Sequence, residues 1–325
     1  MRYDAVDWDE TVRVLRDADE IVIATHVNPD GDAIGSTLAT ALGLQQLGKK
    51  THTTWGTSPL VIPFNYSFLP ASDTFEEPAE VPDASVFLAL DCGSADRLGV
   101  LEDRASKSDY LINVDHHAGN TEFGKLNIVV TSASSTAELV TRLLQDLDVD
   151  VDPDIATCLY AGIVTDTGRF QYANSSPEVL RLAADLIERG VDLVEVAQQV
   201  FESAPFGYLK LLGRVLDRAV LHEEERFVYS WLTRQDLIET AVAMDETDKL
   251  IDAVRTTRSA DIAAMFKEQQ DGSYRVSLRS KGPRSVGAIA RAQGGGGHEL
   301  AAGFTAASIE DAIEIVLAAL RSTDH

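Results

Sequence analysis

Positive charge is what this chain has least of. Its 28 basic residues, only eight of them lysine, face 52 acids, for a formal net charge of −24. A protein built to grip a polyanion does not usually carry that balance, so long duplex nucleic acid is not an expected partner. A surplus of acid with so little lysine suggests a salt-rich, halophilic cytosol, where ions screen the self-repulsion. Cysteine is nearly missing too. Cys92 and Cys158 stand outside any CxxC pair, which argues against a disulfide framework or a zinc knuckle. No apolar run approaches the ~20 residues of a membrane span, so no membrane partner is expected. The opening MRYDAVDWDE is acidic and carries no apolar core; no signal peptide is visible, and the cytoplasm is the expected location. Neither HExxH nor a phosphate-loop lysine motif occurs. HVNPDGDAIG has the look of a calcium loop, but counted from Asn28 its sixth and twelfth positions hold Ala33 and Ala39, where Gly and Glu are required.

What is present suits two domains. In the first half, short apolar runs alternate with helical patterns. EIVIAT (20–25), KKTHTTW (49–55), SVFLAL (85–90) and YLINV (110–114) read as strands; 31–48, 134–147, 153–165 and 177–189 read as helices. That rhythm predicts an α/β fold with a doubly wound, mostly parallel sheet covered on both faces. Residues 190–222 read as a helical connector. A second, smaller αβ unit follows, with strands at 226–232 and 273–280, helices at 245–258 and 308–322, and a glycine loop at 294–297. Between Arg255 and Arg291 eight basic residues face three acids, a local excess suited to a small anionic substrate. His52, His222 and the three tryptophans fall in no motif and read as structural.

The chemistry-bearing residues collect at strand ends. His26 follows the first strand, with Asp30 and Asp32 in the next turn. Asp91 follows the third strand; Asp115, His116 and His117 end the fourth. Asp166 closes the apolar helix CLYAGIVTD. In open parallel sheets, ligands bind beyond the carboxyl ends of strands. Converging carboxylates repel one another and hold their protons, a penalty that divalent cations remove. A mixed His/Asp set suits Mn²⁺ better than Mg²⁺. One ion could take His26, Asp30 and Asp91, and a second Asp32, Asp91, His116 and Asp166, with Asp91 bridging. Two ions ~3.5–4 Å apart are the usual clamp for in-line attack on phosphorus. The run GGGGH lacks a phosphate-loop lysine but lets main-chain N–H groups approach a phosphate.

HVNPDGDAIGS (26–36), ALDCGSADRLG (89–99), DHHAGN (115–120) and GIVTDTGRF (162–170) resemble the four motifs of the DHH phosphoesterases. GGGGHELAAGF (294–304), with SLRS (277–280) upstream, resembles the signature of the associated DHHA1 domain. The resemblance runs from about residue 20 to 305. It implies a DHH catalytic domain over 1–190, a connector over 191–222, and a DHHA1 substrate-binding domain over 223–325 across a cleft. It implies two Mn²⁺ ions, with Mg²⁺ or Co²⁺ as substitutes, on His26, Asp30, Asp32, Asp91, His116 and Asp166. His117 falls on the second histidine, near the scissile phosphate, and Asp115 orients a neighbouring histidine. Arg279, Ser280, Gly295, Gly296, Gly297 and His298 fall on the nucleotide-binding side, and Arg97 and Asn120 are possible phosphate-side contacts. The compact length resembles the nanoRNase and pAp-phosphatase branch, acting on short oligonucleotides or nucleotides. A phosphodiesterase for cyclic di-AMP or pApA, a single-strand DNA exonuclease and a catalytically idle nucleotide-binding regulator are the alternatives. A homodimer is the expected assembly.

Overall fold

The computed structural model describes residues 7–282 and 284–322. The chain divides between Ser203 and Ala204 into two compact units. None of the described helices is long and apolar enough to cross a membrane.

The first unit runs α1 (Trp8–Asp17), β1 (Glu20–Thr25), α2 (Gly31–Gln46), β2 (Lys50–Trp55), β3 (Val86–Leu90), α3 (Glu102–Ser106), β4 (Tyr110–Asp115), β5 (Leu126–Val129), α4 (Thr136–Asp146), α5 (Pro153–Asp166), α6 (Pro177–Glu188) and α7 (Leu193–Phe201). Its five strands are all parallel, in the order β2-β1-β3-β4-β5. The strands read as unbroken apolar runs because both faces are buried. Ile21, Ile23, Leu88 and Ile112 pack into the larger core with α2, α4 and α5, while Val22, Ala24, Phe87 and Ala89 face a smaller cluster with Leu98, Leu101 and Ala105. Helices α2 and α5 are apolar nearly all round and pack on each other closely. At Gly35 an added Cβ would lie 2.4 Å from the carbonyl of Cys158, so only glycine admits that contact. Cys92 and Cys158 are both buried in this unit. Between β2 and β3 the chain is irregular and is tied down by His52. Its Nδ1 lies 2.8 Å from Glu76 and its Nε2 3.0 Å from Glu20, a structural role.

The second unit runs α8 (Phe206–Asp217), β6 (Val220–His222), β7 (Phe227–Leu232), α9 (Arg234–Thr240), α10 (Leu250–Val254), β8 (Ile262–Glu268), β9 (Tyr274–Ser280), α11 (Val286–Ala292), β10 (Gly296–His298), β11 (Ala301–Ala306) and α12 (Ile309–Ser322). Its six strands lie in the order β10-β11-β9-β8-β7-β6, and only β7 and β8 pair in parallel. One face packs on α11 and α12, the other on α8, α9 and α10.

Three details differ from the sequence reading. The glycine run is not wholly a loop, because Gly296 pairs with Gly303 and Gly297 with Ala302 to make β10. Gly297 sits at φ 121°, and a Cβ there would come within 2.6 Å of the Ala301 carbonyl, so the short strand depends on glycine. The helix expected at 245–258 shrinks to a 3₁₀ turn at Met244–Thr247 and α10. The stretch 191–222 divides: α7 belongs to the first unit, α8 to the second, and Val220–His222 pairs with β7 as a strand.

Candidate metal centre

Strand order reverses between β1 and β3, the position at which an open α/β sheet leaves a crevice beyond its carboxyl ends. His26 leaves β1 there and Asp91 leaves β3. Asp115 ends the adjacent strand β4, with His116 and His117 directly after it. Asp30 caps α2, its Oδ1 accepting from the N–H groups of Asp32 and Ala33, both at 3.1 Å. That cap also places Asp32 in the first turn of α2, facing inward. Asp166 is the last residue of α5, and Asn174 Nδ2 lies 3.3 Å from its Oδ2.

Asp91 stands in the middle. Its backbone is left-handed, at φ 58°, a conformation a non-glycine residue keeps only where its surroundings enforce it. Its Oδ2 lies 3.6 Å from His26 Nε2, and its Oδ1 lies 3.6 Å from His116 Nε2. His116 Nε2 is also 3.8 Å from Asp32 Oδ2 and 3.6 Å from Asp166 Oδ2. These separations are too long for hydrogen bonds. They are close to the ~3–3.5 Å that separates donors sharing an ion at roughly 2.1 Å. Two of the donor groups at this site are His26–Asp30–Asp91 and Asp32–Asp91–His116, each with its donor atoms within 4.8 Å of one another. They have Asp91 in common, one carboxylate oxygen turned to each histidine.

The acids are held from behind. Asp32 Oδ2 accepts from the N–H of Thr136 at 2.6 Å, and Oδ1 from the N–H of Ala137 at 2.9 Å and the Ser36 hydroxyl at 3.1 Å. The N-terminus of α4 thus grips Asp32, where a helix end favours negative charge. The Thr136 hydroxyl donates to Asp91 Oδ1 at 2.9 Å. One threonine therefore supports an acid from each donor group, through its main chain and its side chain. His26 Nδ1 lies 2.9 Å from the Val27 carbonyl and 3.0 Å from Arg97 Nη2. Only the tautomer with Nδ1–H donated to Val27 leaves the Nε2 lone pair for a cation.

His117 belongs to a different arrangement. Its Nδ1 is 2.7 Å from Asp115 Oδ1, a hydrogen bond rather than a shared-ion distance. Asp115 is fully buried, and its Oδ2 accepts from Asn120 Nδ2 at 2.6 Å. Asn120, expected on the phosphate side, has its amide turned inward onto the protein.

Electrostatics follow this layout. Asp32 and Asp166 are pushed well above the ordinary carboxylate range, by burial first and then by neighbouring carboxylates, Asp91 among them. Burial acts the same way on Asp91, but the imidazoles of His26, His117 and His116 outweigh it and hold its carboxyl below that range. Burial alone would depress His117; its hydrogen bond to Asp115 and the charge of Asp91 push it up to about 10. So much packed negative charge, relieved only by retained protons and imidazoles, is a donor set that fits divalent cations.

In the second unit, β9, β11 and β10 bring the other candidates onto neighbouring strands. Ala301 pairs with Arg279 on one side and with His298 on the other. Arg279 Nη1 donates to the Leu278 carbonyl at 3.0 Å. Ser280 is buried, and its hydroxyl lies 3.2 Å from the Gly282 carbonyl. Gly295 is held against β11, where a Cβ would stand 2.1 Å from the Gly303 carbonyl. Thr136, Asn113 and Asn174 were not singled out from the sequence, because neutral side chains carry no signal until the fold sets them beside an acid.

Residues 20–163 match the model of the DHH family N-terminal domain, and residues 224–323 that of the DHHA1 domain. A bifunctional oligoribonuclease and PAP phosphatase, NrnA, of Thermus thermophilus is 37% identical over 93% of this chain and 89% of its own length. An exopolyphosphatase-related protein from Bacteroides fragilis superposes with a TM-score of 0.88 at 25% identity, over 98% of this chain and 96% of that one. RecJ of Thermus thermophilus, solved in complex with Mn²⁺, shares the fold at a TM-score of 0.55 and 16% identity, over 99% of this chain and 55% of its own.

Proposed function

The chain belongs to the DHH family of metal-dependent phosphoesterases, with a DHHA1 domain after the DHH domain, and from that premise we propose that it hydrolyses short oligonucleotides to mononucleotides and pAp to AMP. The observation that carries the reading is Asp91, whose two oxygens face two separate histidine–carboxylate groups. His26, Asp30 and Asp91 would hold one ion, and Asp32, Asp91, His116 and Asp166 a second, with Mn²⁺ as the expected metal. Such a pair supplies Lewis-acid charge for phosphoryl oxygens and lowers the pKa of water toward neutrality.

The chain's own groups do the rest. The N–H groups of Thr136 and Ala137 fix Asp32, and the Thr136 hydroxyl fixes Asp91. Asp115 accepts a hydrogen bond from His117 Nδ1, so the second proton of the imidazolium sits on Nε2. From there His117 can stabilise the non-bridging oxygens and hand a proton to the leaving oxygen. In the DHHA1 unit, Arg279 and the strand Gly296–His298 would bind phosphate. The NrnA relative, an oligoribonuclease and PAP phosphatase, supports this substrate class. A cytoplasmic homodimer is the expected setting.

A time course with Mn²⁺ on a 5-mer RNA, pApA, pAp and cyclic di-AMP tests the reading. Release of mononucleotides from the RNA and of AMP from pAp is expected. Turnover confined to cyclic di-AMP and pApA would move the assignment to a cyclic-dinucleotide pathway enzyme, and no turnover of any of the four would overturn it.

A further inference from the structure

Strand β4 carries a polar residue between the apolar Ile112 and Val114. Asn113 is fully buried, two residues before Asp115, and pairs in register with Ala89 of β3. Its Nδ2 donates to the Cys92 carbonyl at 3.1 Å and lies 3.4 Å from that of Ala89. Its Oδ1 accepts from Asn120 Nδ2 at 2.8 Å. Asn120 Nδ2 also reaches the Cys92 carbonyl at 3.0 Å and Asp115 Oδ2 at 2.6 Å, while its Oδ1 accepts from the N–H of Glu122 at 2.6 Å. All three atoms facing Asn120 Nδ2 are acceptors, which fixes the amide's orientation. The contacts form one line: Asn113 to Asn120, Asn120 to Asp115, Asp115 to His117 Nδ1.

The same two amides meet the chain beside Asp91. Cys92 follows Asp91 directly, and its carbonyl takes a hydrogen bond from each asparagine. The N–H of Asp91 donates to the Val114 carbonyl at 3.0 Å, and that of Thr121 to the Gly93 carbonyl at 2.9 Å. These two main-chain bonds, which neither amide makes, stitch the left-handed turn at Asp91 to β4 and to the loop that carries His117, and a strained residue persists where it is held on several sides. A leucine at 113 would fill the space but could not donate to Cys92 or accept from Asn120.

We propose that Asn113 and Asn120 are positioning residues that hold Asp115 against His117 Nδ1, so that His117 Nε2 delivers its proton to the leaving oxygen. This rests on the reading of His117 as proton donor. A purely structural role predicts equal damage to every substrate. A role in proton delivery predicts greater damage where the leaving group needs a proton, because p-nitrophenolate departs without one.

The test compares kcat and KM for pApA and for the p-nitrophenyl ester of a mononucleotide, in the metal-loaded enzyme. Asn120→Ala is expected to lower kcat on pApA by about 10- to 100-fold, with KM within about threefold, and to lower kcat on the activated ester at least about threefold less. Asn120→Asp keeps the volume and replaces the donor with an acceptor; it should repeat the pattern, as should Asn113→Ala. The double variant H117A/N120A should be no slower on pApA than His117→Ala alone. If Asn120→Ala and Asn120→Asp slow both esters equally, or the double variant loses the full product of both effects, the positioning role fails. If His117→Ala itself slows both esters alike, the proton-donor reading fails and the positioning role falls with it. If His117→Ala discriminates between the esters and the asparagine variants do not, only the positioning role is lost.

Discussion

At the scale of single residues, Asp91 and Thr136 separate two kinds of support. Asp91→Asn keeps the side chain's shape and removes the charge that both donor groups share. Turnover of a short RNA is expected to fall about a thousandfold or more, with Mn²⁺ binding by calorimetry weakened at both sites. Retained Mn²⁺-dependent turnover would contradict the bridging role. Thr136→Val removes only the hydroxyl on Asp91 Oδ1 and leaves the main-chain N–H on Asp32. A 10- to 100-fold loss in Mn²⁺ affinity or in activity is expected; an unchanged binding isotherm together with unchanged kcat would show that the hydroxyl holds nothing. The charged residues were legible in the sequence, since acids and imidazoles at the ends of buried strands have few other reasons to be there. Thr136 was not, because its partner Asp32 lies 104 residues away and threonine is common at helix starts. Asn120 closes the motif DHHAGN and reads from the sequence as a possible phosphate-side contact. That its amide turns inward depends on Asn113, which looks like an ordinary interruption of an apolar strand.

Among elements, the strands of the first sheet were legible because parallel strands buried on both faces leave unbroken apolar runs. β5 was not, because LNIV is four residues long and Asn127 breaks its apolar run. β10 could not be read from glycines, since its strand character comes entirely from pairing with β11. In the second unit α9 carries a capping box, in which Thr233 and Asp236 exchange hydrogen bonds. Arg218 and Arg214 also reach Asp236 from α8. Burial works against the charge of Asp236, but Arg218, Thr233 and Arg214 hold its carboxyl well below the usual range. A carboxylate depressed in the folded state stabilises above its unfolded pKa and loses that contribution as pH falls toward its folded value. Asp236→Asn should therefore cost about 1–3 kcal/mol in urea unfolding near pH 7, and the gap should close as pH falls below about 4. A gap that is the same at pH 7 and pH 3 would show that the charge contributes nothing.

For the whole molecule, the surplus of acids is the dominant fact. A net charge of −24 on 325 residues repels itself, and salt weakens that repulsion. The melting temperature is expected to rise between 0.05 M and 2 M KCl; equal melting in both would remove the case for a salt-rich setting. The two cysteines have a consequence of their own. Cys92 borders the metal centre and Cys158 lies in α5 against the Pro70 carbonyl, both thiols sealed from water and pushed above their ordinary pKa by burial. The intact fold should therefore stay silent toward a chromogenic disulfide reagent, since only thiolate attacks it. Whatever colour develops then clocks how often the catalytic unit opens, read through the chain's own two thiols.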